Sequence, residues 1–186
     1  MIRSLTQQVV RVAMVATLTV AVAEAQSGGG SDFTGPGGGG GGAGGSYAPL
    51  GVPAGAPSGP LSTAGIAGLS GVANIFANPG AGGLSIPNPA GGTVTISPAT
   101  ARAIAAVLTG GGAEAVQNLQ NILVGEGVPA AAAGALANAL AALGNKQGRA
   151  TLVAAIDAFN AAIDAGPSAP SPAMLAIRFA LASASR

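Results

Sequence analysis

The sequence predicts an all-α fold, a small irregular bundle of about five short, alanine-rich helices over residues 98–183. Three observations support this fold class. Ser97-Pro98 and Ser171-Pro172 each place a capping serine before a proline that suits the first position of a helix. Apolar residues between these pairs recur every three or four positions, and a glycine follows most of the periodic stretches.

Five stretches combine this periodicity with a start or a stop signal. The predicted helices cover residues 98–109, 113–124, 129–143, 150–165 and 172–183. The glycines expected to end them are Gly110, Gly125, Gly144 and Gly166. Because the connections are short, neighbouring helices should run antiparallel.

The clearest helix is the one predicted over 150–165, where the sequence Ala-Ala-Ile-Asp-Ala occurs twice, seven residues apart. A step of seven residues is close to two helical turns, so both copies share a face. The apolar seam expected to face the core consists of Leu152, Ile156, Phe159 and Ile163. Asp157 and Asp164 lie beside it, about 10 Å apart along the axis. That spacing is too wide for one metal ion, so we expect a solvated flank, with Phe159 anchoring the core.

An export signal is predicted over residues 1–25. Arg3 and Arg11 provide a positive flank, and an apolar stretch over 12–23 leads into the small-residue cleavage pattern Ala23-Glu24-Ala25. Twelve residues span about 18 Å as a helix, less than the roughly 30 Å of a bilayer core. This length favours cleavage after Ala25 over a retained membrane anchor.

Residues 26–60 have the composition of a disordered or extended arm. They include a run of glycines at 37–42 and prolines spaced at three or four residues from Pro49 to Pro60. Such a segment cannot bury enough apolar surface to offset the entropy of ordering. Phe33 and Tyr47 stand alone in it as aromatic residues, which makes them candidate contacts to a partner protein.

Residues 61–97 form an apolar, glycine-rich connector between the arm and the helical domain at 98–186. Gly65, Gly68 and Gly71 recur every three residues, which predicts a short helix with one smooth face. Such a helix needs a surface to pack on, either the bundle or a partner, because glycine disfavours helix. Alternation at 93–97 after a turn-rich stretch is compatible with a short hairpin over 84–97.

The residue types that are missing exclude most chemistry. The chain contains no Cys and no His, so it lacks a thiol nucleophile, thiolate and imidazole metal ligands, and the commonest general base, without which its Ser and Thr hydroxyls are not activated. Its six acidic residues are sparse, and a net charge of +1 with 7% charged residues gives no nucleic-acid footprint. We therefore expect no enzyme activity, no metal or other cofactor, and no small-molecule substrate.

The remaining candidate contacts are polar side chains on the predicted helices. Gln117 and Asn121 lie four residues apart, so both amides can face one partner. Arg178 on the last helix could contact an acidic group. Together with Phe33 and Tyr47, these residues are the predicted protein-binding positions.

The combined pattern predicts an exported, non-catalytic accessory protein, a helical docking module with an extended arm that binds another cell-envelope protein or complex. After cleavage the chain has five basic and five acidic residues, and zero net charge favours association. A first alternative is therefore a self-associating component of an extracellular matrix or filament. A second alternative is a small subunit of a membrane complex that touches the membrane through a retained amino-terminal segment.

Cleavage of the signal gives the first prediction. The intact mass of the protein recovered from its host should correspond to a chain that begins at Gln26, because Ala23 and Ala25 suit the signal peptidase. A mass that still includes residues 1–25 would contradict the export model and favour the membrane-anchored subunit.

Overall fold

The structure is a computed structural model that describes residues 49–52, 59–169 and 171–186. This part of the chain is mostly helical, with one short two-stranded sheet. The elements in order are α1 (Thr63–Ala77), β1 (Leu84–Pro87), β2 (Thr93–Ile96), α2 (Pro98–Leu108), α3 (Ala113–Gly125), α4 (Ala130–Lys146), α5 (Arg149–Ala165) and α6 (Pro172–Ala184). The predicted signal at 1–25 and arm residues Phe33 and Tyr47 lie outside the described residues.

Serine residues cap the amino-terminal ends of three helices, and two of these caps, Ser97 and Ser171, were predicted from the sequence. Ser97 Oγ accepts the Thr100 amide at the start of α2, and Ser171 Oγ accepts the Met174 amide at the start of α6. Each of these two helices has proline in its first turn. Ser62 caps α1 in the same way through the Gly65 amide. Each cap satisfies a backbone donor that the first helical turn leaves open.

Helix α4 does not end at Gly144 as predicted but continues to Lys146, and Gln147 terminates it in a left-handed conformation with φ 43°. The reason for glycine at 144 is packing. A Cβ there would lie 2.5 Å from the carbonyl oxygen of Leu108, so the missing side chain lets α4 approach the end of α2. By contrast, Gly110 follows α2 with φ 81°, the left-handed turn that favours glycine.

The connector at 61–97 packs on the bundle, which answers the question that the sequence leaves open. Helix α1 buries Leu69, Val72 and Phe76, the last with no exposed surface. The strands form an antiparallel hairpin with Leu84 opposite Ile96 and contact α6. Their inward residues Ile86 and Ile96 are buried in the same core. Within the described residues, the connector therefore shares one hydrophobic core with the helices at 98–186.

Glycines of α1 give this helix its close contact with α6. A Cβ on Gly65 would collide with the carbonyl oxygen of Ala184, and one on Gly68 with that of Ser183. A Cβ on Gly71, three residues further along the same helix, would meet no atom within 4 Å. Two of the three regularly spaced glycines are thus required by the packing.

Helix α6 is the most buried helix, with nine of its thirteen residues buried. The predicted seam of α5 also faces inward, since Leu152, Ile156 and Phe159 are at most 2% exposed. Ile163 at the end of that seam is only half-buried. The bundle is therefore centred on α6, with α5 packed between α4 and α6.

Two glycine substitutions in α1 test the packing of this helix. Gly68→Ala should lower the free energy of unfolding by about 1 to 3 kcal/mol, because the new methyl group overpacks against the α6 backbone. Gly71→Ala should raise it by about 0.5 to 1 kcal/mol, because alanine favours helix and the site is open. Both values come from urea denaturation of the two variants. Equal effects of the two substitutions would contradict the close contact between α1 and α6.

Candidate functional site

The segment before α1 is fastened to α5 by the side chain of Asn160. The Leu50 amide donates to Asn160 Oδ1 at 3.0 Å, and Asn160 Nδ2 donates to the Leu50 carbonyl oxygen at 3.1 Å. Asn160 is half-buried, and the Leu50 side chain packs against the core. One carboxamide therefore pairs with both polar groups of one residue, as a neighbouring β-strand would.

A second fastening point lies at the amino-terminal end of α5. The Arg149 amide donates to the Gly59 carbonyl oxygen at 3.0 Å, and the Leu61 amide donates to the Gln147 carbonyl oxygen at 3.1 Å. Pro60 and Gly148 form a β-bridge between these bonds. Leu61 itself is buried. The main chain around the left-handed turn at Gln147 thus pairs with residues 59–61 over a short stretch, as the edge of a β-sheet would.

We call residues 49–52 and 59–61 the strap. Leu50 is held opposite residue 160 and Gly59 opposite residue 149, so the strap follows α5 in the antiparallel direction. The eleven residue steps along α5 from residue 149 to residue 160 rise about 16 Å. The hydrogen bonds at both points use main-chain groups of the strap. They therefore fix the position of the strap and do not depend on which polar side chains it carries.

The sequence indicates little of this arrangement. Asn160 is noticeable only as a polar residue between Asp157 and Asp164, and both aspartates are exposed, in agreement with the predicted solvated flank. Leu50 lies in the Gly/Pro-rich arm, 110 residues away from Asn160 in the chain. A half-buried asparagine on a helix facing an isolated leucine has no sequence signature, because no spacing rule connects the two.

The predicted partner-binding residues on the helices lie apart from the strap. Gln117 Nε2 donates to Asn121 Oδ1 at 3.0 Å on the exposed face of α3, so the two amides satisfy each other in part. Arg178 is half-buried on α6 and lines a cleft formed with the turn between β1 and β2. The roles proposed for these three residues stay predictions.

The acidic side chains of the described residues do not converge. No group of three His, Cys, Asp or Glu side chains that could hold a metal ion occurs within 49–52, 59–169 or 171–186. Glu126 has a structural position, since its Oε2 accepts the Ala173 amide at 3.0 Å at the start of α6. A carboxylate at this end complements the helix dipole. Helices of the described ranges are also too short or too polar to cross a bilayer.

These features define a mostly helical module to which the amino-terminal segment is strapped along α5. Comparison with protein-family models, curated proteins and solved structures finds no match to this chain.

Substitutions of Asn160 test the strap. Asn160→Leu removes both hydrogen bonds, so the Leu50 amide should exchange with solvent about tenfold faster or more, a change of about 1.4 kcal/mol in opening free energy. Asn160→Asp keeps an acceptor for the Leu50 amide but brings a carboxylate to the Leu50 carbonyl, and should also loosen the strap. Hydrogen exchange followed by NMR provides the measurement.

The exposed Asp157→Asn variant serves as the matched control on the same helix and should leave Leu50 exchange unchanged. Unaltered protection of Leu50 in Asn160→Leu would show that the side chain of Asn160 does not hold the strap.

Proposed function

We propose that this protein is an exported, non-catalytic accessory protein, a helical docking module whose extended arm binds another protein or complex of the cell envelope. The observation that supports this function best is the attachment of the strap to α5. Leu50 and Gly59, both within the predicted arm, are held against α5 by hydrogen bonds to their main chain. Residues that are already fixed lose less freedom when the module binds, which favours association.

Composition supports the non-catalytic part of the proposal. The chain has neither His nor Cys, and the described carboxylates are dispersed. A hydrolase or transferase would need a general base close to a nucleophile. The positively flanked apolar stretch and small-residue cleavage pattern of residues 1–25 support export.

The surface of the module is better suited to a protein that binds another protein than to one that stays unbound in solution. Ile75 and Val124 are exposed by 51% and 42%, although both are large apolar residues on helices. Two such residues on different helices are common on protein surfaces, so the stronger support is the low number of charges, which leaves little repulsion between molecules and favours association. Self-association into a matrix or filament is the outcome that most directly competes with this proposal.

Affinity purification from the envelope fraction tests the function. The carboxy-terminally tagged full chain should recover a partner at fixed stoichiometry, and the complex should reassemble from the purified components. Deletion of residues 26–48 should weaken the reassembled complex at least tenfold, because those residues carry Phe33 and Tyr47. Asp157→Asn should bind like the unaltered chain.

Light scattering separates the alternatives. A monomer that binds its partner at a fixed ratio supports the docking module. Concentration-dependent polymers without a partner would favour the matrix or filament component. Recovery of the protein alone as a monomer would contradict both.

A further inference from the structure

An apolar cleft lies between α6 and the turn that joins β1 to β2. Its volume is about 180 Å³, smaller than the roughly 300 Å³ at which pockets for drug-sized ligands begin. This size suits one large side chain of a bound protein segment better than a cofactor. The lining residues are Pro87, Asn88, Pro89, Leu175, Arg178, Phe179 and Ala182.

The floor of the cleft is one face of α6. Leu175, Phe179 and Ala182 recur at helical spacing, so their side chains project on the same side. Leu175 is 3% exposed, and the Phe179 ring stacks on the fully buried Phe76 with centroids 6.5 Å apart. A ring supported from below by another ring gives the floor a fixed shape.

The wall of the cleft is the turn, which hydrogen bonds hold in place. The Asn88 amide donates to the Gly92 carbonyl at 3.0 Å, and the Gly91 amide donates to the Asn88 carbonyl at 2.9 Å. Asn88 Oδ1 accepts the Ala90 amide at 3.0 Å. Pro87 and Pro89 on either side have fixed φ angles. The apolar walls are therefore formed before any ligand arrives.

Among the described residues that line the cleft, the charged one is Arg178. Its guanidinium has five N–H donors, so it can serve an acceptor of a ligand in addition to the interaction it already makes within the protein. Asn88 Oδ1 accepts the Ala90 amide within the turn, and Asn88 Nδ2 is a further donor at the cleft. A ligand complementary to this cleft has an apolar group for the floor and a carboxylate for the donors.

We propose that this cleft binds a segment of the partner protein in which a large aliphatic or aromatic side chain stands beside Asp or Glu. The apolar side chain fills the space over Leu175 and Phe179, and the carboxylate faces Arg178 and Asn88. This inference rests on the proposed docking function, and it assigns to Arg178 the role of selecting an acidic neighbour.

Short peptides test the proposal on the full chain. The probe is acetyl-Gly-Leu-Asp-Gly-amide, titrated to about 10 mM while amide shifts are followed by NMR, because a contact of one side chain binds in the millimolar range. Shifts should concentrate at residues 87–89 and 175–182. The Leu→Ala peptide should not bind detectably, and the Asp→Asn peptide should bind about tenfold more weakly because it lacks the charge.

A double-mutant cycle isolates the charge contact. Arg178→Gln should weaken the Asp peptide about tenfold but leave the Asn peptide unchanged, since only the first has a carboxylate to lose. Arg102→Gln on the exposed face of α2 is the matched control and should have no effect. Ala182→Trp should block the cleft, whereas Ala142→Trp at an exposed position of α4 should not.

Three results would overturn the proposal. These are shifts outside the cleft, equal weakening of both peptides by Arg178→Gln, and shifts of the same residues with protein concentration alone, which would assign the cleft to a second copy. If the peptide does not bind but a partner is still recovered from the envelope fraction, the cleft is not part of the interface, and the proposed docking function is not contradicted. Failure to recover a partner would instead contradict the docking function.

Discussion

The structure depends on the contact between the glycine face of α1 and the backbone of α6. Thirteen of the 35 buried apolar residues described are alanine, so more than a third of the core positions carry side chains too small to fill wide gaps between helices. Interiors are close-packed, and small side chains reach that density only when backbones approach each other. Gly65 and Gly68 permit this approach at α6, and Gly144 permits it between α4 and α2. Glycine lowers helix propensity, and the burial of Leu69 and Phe76 offsets that cost.

The same contact organises the functional surfaces. Because α1 lies against α6, Phe76 reaches Phe179 and supports the floor of the cleft, while β1 and β2 cover the next part of α6. The residues that precede α1 must then pass the turn between α4 and α5, where Leu61 is buried and Gly59 bonds to Arg149. The direction of the strap thus follows from the position of α1. The packing of α1 against α6 therefore determines the positions of both residues 59–61 of the strap and the cleft.

Local signals in the sequence predicted most of the helices and the hairpin. The features that the sequence did not predict depend on contacts between residues far apart in the chain. Ser97 and Ser171 cap their helices because a cap depends on residues three positions apart. Gly144 was wrong as a helix stop, because a glycine that permits close packing looks the same in sequence as one that ends a helix. Within the candidate site, the sequence singled out Arg178 but not Asn160, whose role depends on a residue far away in the chain. Helix burial likewise depends on tertiary neighbours, which is why α6 and not the regular repeat in α5 is the centre of the bundle.

The strap is held through main-chain groups of its own chain, whereas the cleft is proposed to bind a side chain of a partner. Asn160 bonds to the amide and carbonyl of Leu50, groups that nearly every residue possesses, so this contact fixes a position and leaves polar side chains free to vary. The cleft over Phe179 offers shape and a cation, which distinguish one side chain from another. The proposed docking function would use both properties, since fixed residues lose less entropy on binding and selective contacts exclude the wrong partner. Because the chain has few charged and aromatic residues, Arg178 and Phe179 side by side on α6 are the residues to which the proposal assigns selectivity.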